Sequence, residues 1–373
     1  MSETAIHGAA LVPLTDALAR GPERWDHLVA CSPAASPFMR WAWHSAWARA
    51  APAEDVARSF AIVVNGAANG EDAVIPLSLR TLAFRRAPVR AVTWATGGVG
   101  YPDHLDVPAA SQADMREAVS ILEGVPWDVM VLSGVGEDSA NVSRFMEAFA
   151  ERGYGVRRVV LDFCPYIDLP PTWDEYLAGL SPERRQNVRR RERKLMREHA
   201  AHVTDYVPDR LDEGWACLRS LHERRWGGPG AFGTPVLTGL LRGYFEDLAA
   251  RGEVWLTSLD LVGEPAAAWC GFAWRDTVYF YQTGRDPKWE RQSVGQVLTA
   301  AMIRRAIEHG YKRFDFLRGR DSYKMLWTST MRPVYEVVIF RPGRRGSWLR
   351  ALDVLGRARA RLRSRPEFAV WDA

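Results

Sequence analysis

Cysteine is scarce in this sequence: four residues in 373 (Cys31, Cys164, Cys217 and Cys270), with no C-x-x-C pair. That spacing argues against a zinc site or a disulfide framework and fits a reducing compartment. Long apolar runs are also missing, and none approaches the roughly 18 residues needed to span a bilayer. The first residues, MSETAIHGAALVPL, place no basic group ahead of their short apolar stretch, which reads against a signal peptide and for a cytoplasmic protein. There is no G-x-S-x-G, no Walker A loop and no H-E-x-x-H, and the histidines show no metal-ligand spacing, so no metal is expected.

The apolar share (47%) and charged share (25%) are those of a globular chain, and the length allows two domains. The net charge of +4 is unevenly spread. Residues 183–198 carry a local +5 and residues 341–365 a local +8, which leaves the remainder at −9. Concentrated positive charge gathers anions such as phosphates, anionic sugars, nucleic acid or lipid headgroups, although a basic helix can equally be a solvated face.

Read along the chain, Ser36 and Pro37 suit the start of a helix over 36–50. Strands follow at 60–65 and 73–82, then a Gly-rich loop (95–104), a helix near 112–123, a strand at 129–135, a helix at 139–152 and a strand near 155–162. After DLPPTW (168–173) come a short helix, a basic helix opened by Ser181-Pro182-Glu183, a strand (202–207) and helices at 209–226 and 235–251. The strand 253–261 precedes a hairpin turning near Arg275-Asp276, a loop (285–292) and a helix from Ser293 to His309 stopped by Gly310. A strand at 311–319, a short helical piece at 322–327, a strand at 333–340 and a trailing helix at 346–365 complete the chain. Both halves run strand, strand, helix, strand, with a glycine after the helix (Gly124, Gly310) and another at the strand end (Gly134, Gly319). This weak repeat points to a duplicated α/β (α+β) unit. In the trailing helix Arg357, Arg359, Arg361, Arg363 and Arg365 recur every second residue, which spreads them around the helix instead of forming one membrane-facing side.

The block 278–327 carries the chemistry. A helix start leaves amides unpaired and carries partial positive charge, so it can receive phosphate. Gln292, Ser293, Gly295 and Gln296 occupy that start, and Gly295 lets a phosphate approach the backbone. The alternative is that Ser293 only caps the helix. Asp315 lies in an apolar strand between Phe314 and Phe316; it needs a partner (Arg318, Arg320 or Lys324) or a function as base or substrate anchor. Lys324 can hold a phosphate or polarise a donor carbonyl, Tyr323 can act as acid, and Asp286 is a second candidate base. On the basic helix Arg185, Arg189 and Arg193 share one face suited to pyrophosphate. His222, Arg225 and Trp226 can line an acceptor cleft, and some of the sixteen tryptophans, such as Trp226 or Trp289, can stack on a sugar.

The segment FYQTGRDPKWERQSVGQVLTAAMIRRAIEHGYKRFDFLRGRDSYKMLW resembles the signature region of CelD/BioF-type acetyltransferases, GNAT proteins related to the FemAB transferases. The match rests on Ser293–Gly295 at the helix start, on FDFLRG (314–319), and on Tyr323-Lys324 with Trp327. LSPERRQNVRRRERKL, LHERRW and SPFMRWAWHSAW extend it over most of the chain. The resemblance implies two GNAT-like domains, each a mixed, mostly antiparallel twisted sheet flanked by helices: a degenerate one over 1–160 and an acyltransferase one over 161–341, with a basic helical tail over 342–373. It implies an acyl-CoA donor (acetyl-CoA) bound by Gln292, Ser293, Gly295 and Gln296. Lys324, Tyr323 and Asp315 would carry catalysis, and Arg185, Arg189, Arg193, Arg225, Trp226 and Arg318 would bind a small-molecule or glycan-precursor acceptor of the cell envelope or an exopolysaccharide. Peripheral membrane contact would run through the basic tail, without stable insertion. A FemAB-like variant would use aminoacyl-tRNA, and a third reading is a non-catalytic partner of a polysaccharide synthase. One departure stands out: the usual phosphate loop ends in a small residue, whereas Val297 stands here, and a β-branched side chain there would crowd a pyrophosphate.

Overall fold

The computed structural model describes residues 4–6, 8–65, 71–111 and 113–362. Arg363 and Arg365 of the alternating tail series therefore lie outside the described residues. The chain divides into two compact units, residues 1–162 with 333–373, and residues 163–332. The strand 333–340 and the basic tail thus belong with the first unit, where the sequence reading counted that strand in the second.

In the first unit, β1 (Thr4–Ile6), β2 (Ala9–Pro13), β3 (Ser59–Asn65), β4 (Glu71–Phe84) and β5 (Ala87–Trp94) pair antiparallel in chain order. Helices α1 (Leu14–Ala19), α2 (Pro22–Cys31), α3 (Trp41–Ala50) and α4 (Ala53–Ala57) lie between β2 and β3 in sequence. Where one helix over 36–50 is expected, a 3-10 turn (Pro37–Met39) precedes α3. Ser36 makes no capping bond; the Asp26 carboxylate takes the Trp41 amide at 2.9 Å and the Arg40 guanidinium at 3.2 Å, and so starts α3 one turn later. Helix α5 (Met115–Gly124) leads to β6 (Val129–Val135), which runs parallel to β5, and α6 (Ala140–Glu151) follows.

Strand β7 (Gly155–Asp168) passes from the first unit into the second. There α7 (Trp173–Gly179), α8 (Pro182–His199), β8 (His202–Asp205), α9 (Leu211–Trp226) and α10 (Pro235–Ala249) precede the antiparallel run β9 (Val254–Leu261), β10 (Glu264–Trp274) and β11 (Thr277–Arg285). Helix α11 (Val294–Glu308) crosses to β12 (Arg313–Asp315), which pairs parallel with β11 and antiparallel with β7. Strand β13 (Met331–Phe340) returns to pair with β6, and α12 (Arg344–Leu362) closes the first unit.

Both units therefore repeat one plan: antiparallel strands, a helix, then a strand parallel to the last of them. Each is a mixed, mostly antiparallel sheet flanked by helices, as expected. Residues at intervals of three and four on α11 (Val294, Val297, Leu298, Met302, Ile303, Ala306, Ile307) are buried against Trp269, Phe280, Phe314 and Phe316. Full burial of a side chain such as Leu298 is worth about 1.5–3 kcal/mol. No helix of the described residues is long and apolar enough to cross a membrane.

Candidate active site

In the second unit β11 and β12 pair over three residues only, Thr277–Tyr279 against Arg313–Asp315. Strand β11 then runs on to Arg285 with no further pair to β12, and a bulge at Tyr281 breaks its register with β10. The strands part because Leu317, just beyond β12, takes a left-handed conformation (φ 56°) that turns the chain away. The Leu317 amide donates to Asp315 Oδ1 at 2.7 Å, and Lys324 Nζ donates to the carbonyls of Leu317 (3.4 Å) and Arg318 (2.5 Å). Two charged side chains thus hold the turn at which the strands diverge.

A 3-10 turn (Pro287–Gln292) carries the chain from β11 to α11. Ser293 stands at the N-cap of α11 in left-handed conformation (φ 58°), and its side chain makes no capping bond. The capping alternative therefore does not hold. The amides of Val294 and Gly295 have no acceptor among the described residues, whereas those of Gln296 and Val297 go to the Ser293 carbonyl (2.9 and 3.2 Å). A Cβ placed on Gly295 would meet nothing within 4 Å. Gln292 Oε1 is buried without a hydrogen-bond partner. A strained non-glycine residue, two free amides and an open glycine face fit a phosphate. Val297 is 9% exposed and packs into the core, so its branch points away from the helix start. The crowding expected from the sequence does not arise.

The other expected residues fall into two groups. Gln296 is engaged, its Oε1 accepting from Arg191 of α8. Asp315 is fully buried and ion-paired to Arg332 at 2.7 Å, a partner absent from the expected set of Arg318, Arg320 and Lys324. Lys324 is 5% exposed and committed to the two carbonyls and to Asp321 (3.4 Å). These geometries make Asp315 and Lys324 supports of the turn at Leu317 and Arg318. Arg185 Nη2 closes the end of α7 through the Ala178 and Leu180 carbonyls (3.2 and 3.3 Å), Arg189 pairs with Asp174 (3.0 Å), and Arg193 donates to the Arg189 carbonyl. The arginine stripe of α8 is thus largely spent on its own scaffold, and Glu192 fastens α8 to Arg304 of α11 through two bonds of 2.8 Å.

Asp286 caps the 3-10 turn and pairs with Arg224 at 2.8 Å. Burial works to raise its pKa, but the Lys288 amide and Arg224 outweigh it and hold it below the ordinary value, which suits no general base. Tyr323 packs its ring 6.1 Å from Phe280, beside the free part of β11, and burial reinforced by Asp321 raises its pKa well above the ordinary phenol value. It stays protonated at working pH and can donate a hydrogen bond. Arg225 lies 5.8 Å over the Tyr323 ring and 4.8 Å over Trp226. His222 is 2% exposed, edge-on to Phe232 at 4.8 Å, and burial followed by Arg225 lowers its pKa.

The first unit has the corresponding features in closed form. Strands β5 and β6 pair over two residues, but beyond them Leu105 pairs with β6, its amide donating to Gly134 O and its carbonyl accepting from Gly136. Trp94 Nε1 reaches the Ser133 carbonyl at 3.0 Å, and Asp114 caps α5 by accepting from the Arg116 amide. The chain's own backbone, an indole and a carboxylate occupy what the second unit leaves open.

Residues 182–325, from α8 through the Tyr323-Lys324 pair, match the family model described as the Acetyltransferase (GNAT) domain. Within that span, under half of the chain, the protein is similar to GNAT acetyltransferase domains, which supports an acyltransferase. Solved structures share the fold: the C-terminal domain of a protein from Agrobacterium fabrum assigned as a lysylphosphatidylglycerol synthetase (TM-score 0.54, 11% identity, 92% of this chain and 96% of that one); FemX (0.54, 12%, 90% and 97%); and L-PGS from Bacillus licheniformis (0.52, 12%, 91% and 97%). At such identities the likeness is one of fold. Among curated proteins, none matches the chain in sequence. The sequence signal that could have exposed the supporting role of Asp315 was weak, since Arg332 lies seventeen residues away and beyond β12.

Proposed function

We propose that the GNAT domain transfers an acyl group from acyl-CoA to an amine or hydroxyl of a cell-envelope or glycan precursor. One observation carries this reading: the edge of β11 freed beyond Tyr279 leads directly to the two unpaired amides and open face at Val294–Gly295. An extended donor lying along that edge would rest its pyrophosphate on those amides, with Gln292 beside it. Backbone N–H groups of the freed strand would receive the oxyanion that forms when the acceptor attacks the thioester carbonyl. The new C–N or C–O bond forms as the C–S bond breaks, and Tyr323, held protonated, would donate a hydrogen bond to the departing thiolate. The attacking group must arrive unprotonated or lose its proton to solvent, because Asp315 and Asp286 are both ion-paired.

A second reading, aminoacyl transfer from tRNA, draws on the exposed Arg184, Arg190, Lys194 and Arg197 of α8 and on the fold shared with FemX. The burial of Val297 favours acyl-CoA, since it removes the sequence objection to a pyrophosphate. The test is thiol release from acetyl-CoA with a panel of amino sugars. Acceptor-dependent release supports the first reading. No release, together with salt-sensitive tRNA binding, would replace it with the second.

A further inference from the structure

Beside the freed edge of β11 lies a cation that is ion-paired to none of the described residues. Arg225, in the last turn of α9, is half-buried, yet its guanidinium makes no hydrogen bond or ion pair with any described residue. Its neighbours are two rings, Trp226 at 4.8 Å and Tyr323 at 5.8 Å. The nearby charges are committed elsewhere: Arg285 to Glu290 at 2.8 Å, and Asp321 to Lys324 at 3.4 Å. On the same turn, Arg224 does have a partner, Asp286 at 2.8 Å. Burial depresses the Arg225 pKa, Tyr323 and Asp321 offset this in part, and Arg285 adds to it, so the charge is shielded from water without a direct ion pair. An arginine does not give up its proton under such pressure, so the deficit is repaired by an anion from outside.

Two details orient this site. Gly284 of β11 lies so close to α9 that a Cβ there would stand 2.4 Å from the His222 amide nitrogen, which fixes the end of α9 against the strand. Trp226 is 60% exposed, a flat apolar surface beside the guanidinium. A planar cationic fork next to an exposed indole recognises an anionic oxygen pair attached to a ring that can lie on the indole.

We propose that Arg225 anchors the phosphate or carboxylate of an anionic sugar whose ring lies on Trp226, making the acceptor of the transfer a negatively charged amino sugar. This rests on the acyl-transfer reading for its role, but the anion site can be tested without it. Glucosamine 6-phosphate, glucuronate, glucosamine and inorganic phosphate are titrated calorimetrically into the full chain and into Arg225→Gln, Arg225→Lys and Trp226→Ala, with acetyl-CoA titrated into each as a separate check. We expect one of the two anionic sugars to bind at least tenfold more tightly than glucosamine, and which one does so distinguishes phosphate from carboxylate. Arg225→Gln should erase that preference, Arg225→Lys should restore part of it, and Trp226→Ala should weaken the sugar while leaving inorganic phosphate unchanged. Acetyl-CoA should bind all variants alike. Equal binding of charged and neutral sugars, no binding of any probe, or a preference that survives Arg225→Gln would overturn the proposal. A preference that depends on Arg225 in a protein that does not bind acetyl-CoA would uphold the anion site and remove the donor reading instead.

Discussion

Asp315 and Arg332 form a buried ion pair, with Oδ2 and Nη2 2.7 Å apart and the carboxylate wholly shielded from solvent. Burial works against the Arg332 charge, but the carboxylate more than offsets it and raises the arginine's pKa. The other carboxylate oxygen holds the Leu317 amide, so the pair supports the turn at which β12 leaves β11. Breaking such a pair leaves one charge stranded. Arg332→Met should cost about 3–5 kcal/mol, and Arg332→Met with Asp315→Asn should recover most of it. Urea unfolding of the three proteins measures this; a single-variant loss below about 1 kcal/mol would contradict the buried pairing.

Lys324 is a structural lysine by its geometry. Lys324→Met strands the Leu317 and Arg318 carbonyls and should cost about 1.5–3 kcal/mol of stability. Turnover per folded molecule should change by less than about threefold. Loss of turnover by orders of magnitude at unchanged stability would return Lys324 to a catalytic role.

His44, on α3 of the first unit, is buried beside Trp25, and its Nδ1–H donates to the Arg40 carbonyl at 3.1 Å. Burial holds its pKa at about 4, against 6.5 for a free imidazole. The unfolded chain therefore binds the extra proton first as pH falls. The contribution is complete above pH 6.5 and is lost progressively as pH drops towards 4, amounting to about 3 kcal/mol. His44→Gln should flatten the stability profile between pH 7 and pH 4.5 by that order, as read by urea midpoints at each pH.

The contrast between the units predicts a stoichiometry. Because Leu105, Trp94 and Asp114 occupy the gap and helix start of the first unit, acetyl-CoA should saturate at one molecule per chain. Two equivalent sites by calorimetry would show that the first unit also binds donor.

Local signals placed most elements. The α11 periodicity and Gly310 (φ 78°) gave its bounds to within a residue, and the turn at Arg275-Asp276 closed the β10–β11 hairpin as expected. Strand β5 is hard to read in sequence because Pro88 and Arg90 break its apolar run beside a Gly-rich loop, and the strand expected over 311–319 is only Arg313–Asp315. What distant contacts decide was not legible. Ser293 carries the residue type of a cap but adopts a left-handed backbone; Asp315 and Lys324 look chemical in sequence but answer to Arg332 and to two carbonyls. The free state of Arg225 is likewise a property of packing: its neighbour Arg224, identical in type, is paired.

Whether the start of α11 receives the donor's pyrophosphate is decided by acetyl-CoA calorimetry on the wild type, Gly295→Ala and Gly295→Asp. Since a Cβ at Gly295 meets nothing, both variants should fold, with Gly295→Ala gaining up to about 1 kcal/mol from helix propensity. The wild type should bind acetyl-CoA and Gly295→Asp should bind it about 30-fold or more weakly, because a carboxylate would stand where phosphate rests. A wild type that does not bind, or a Gly295→Asp that binds as tightly as the wild type, would contradict that placement of the phosphate.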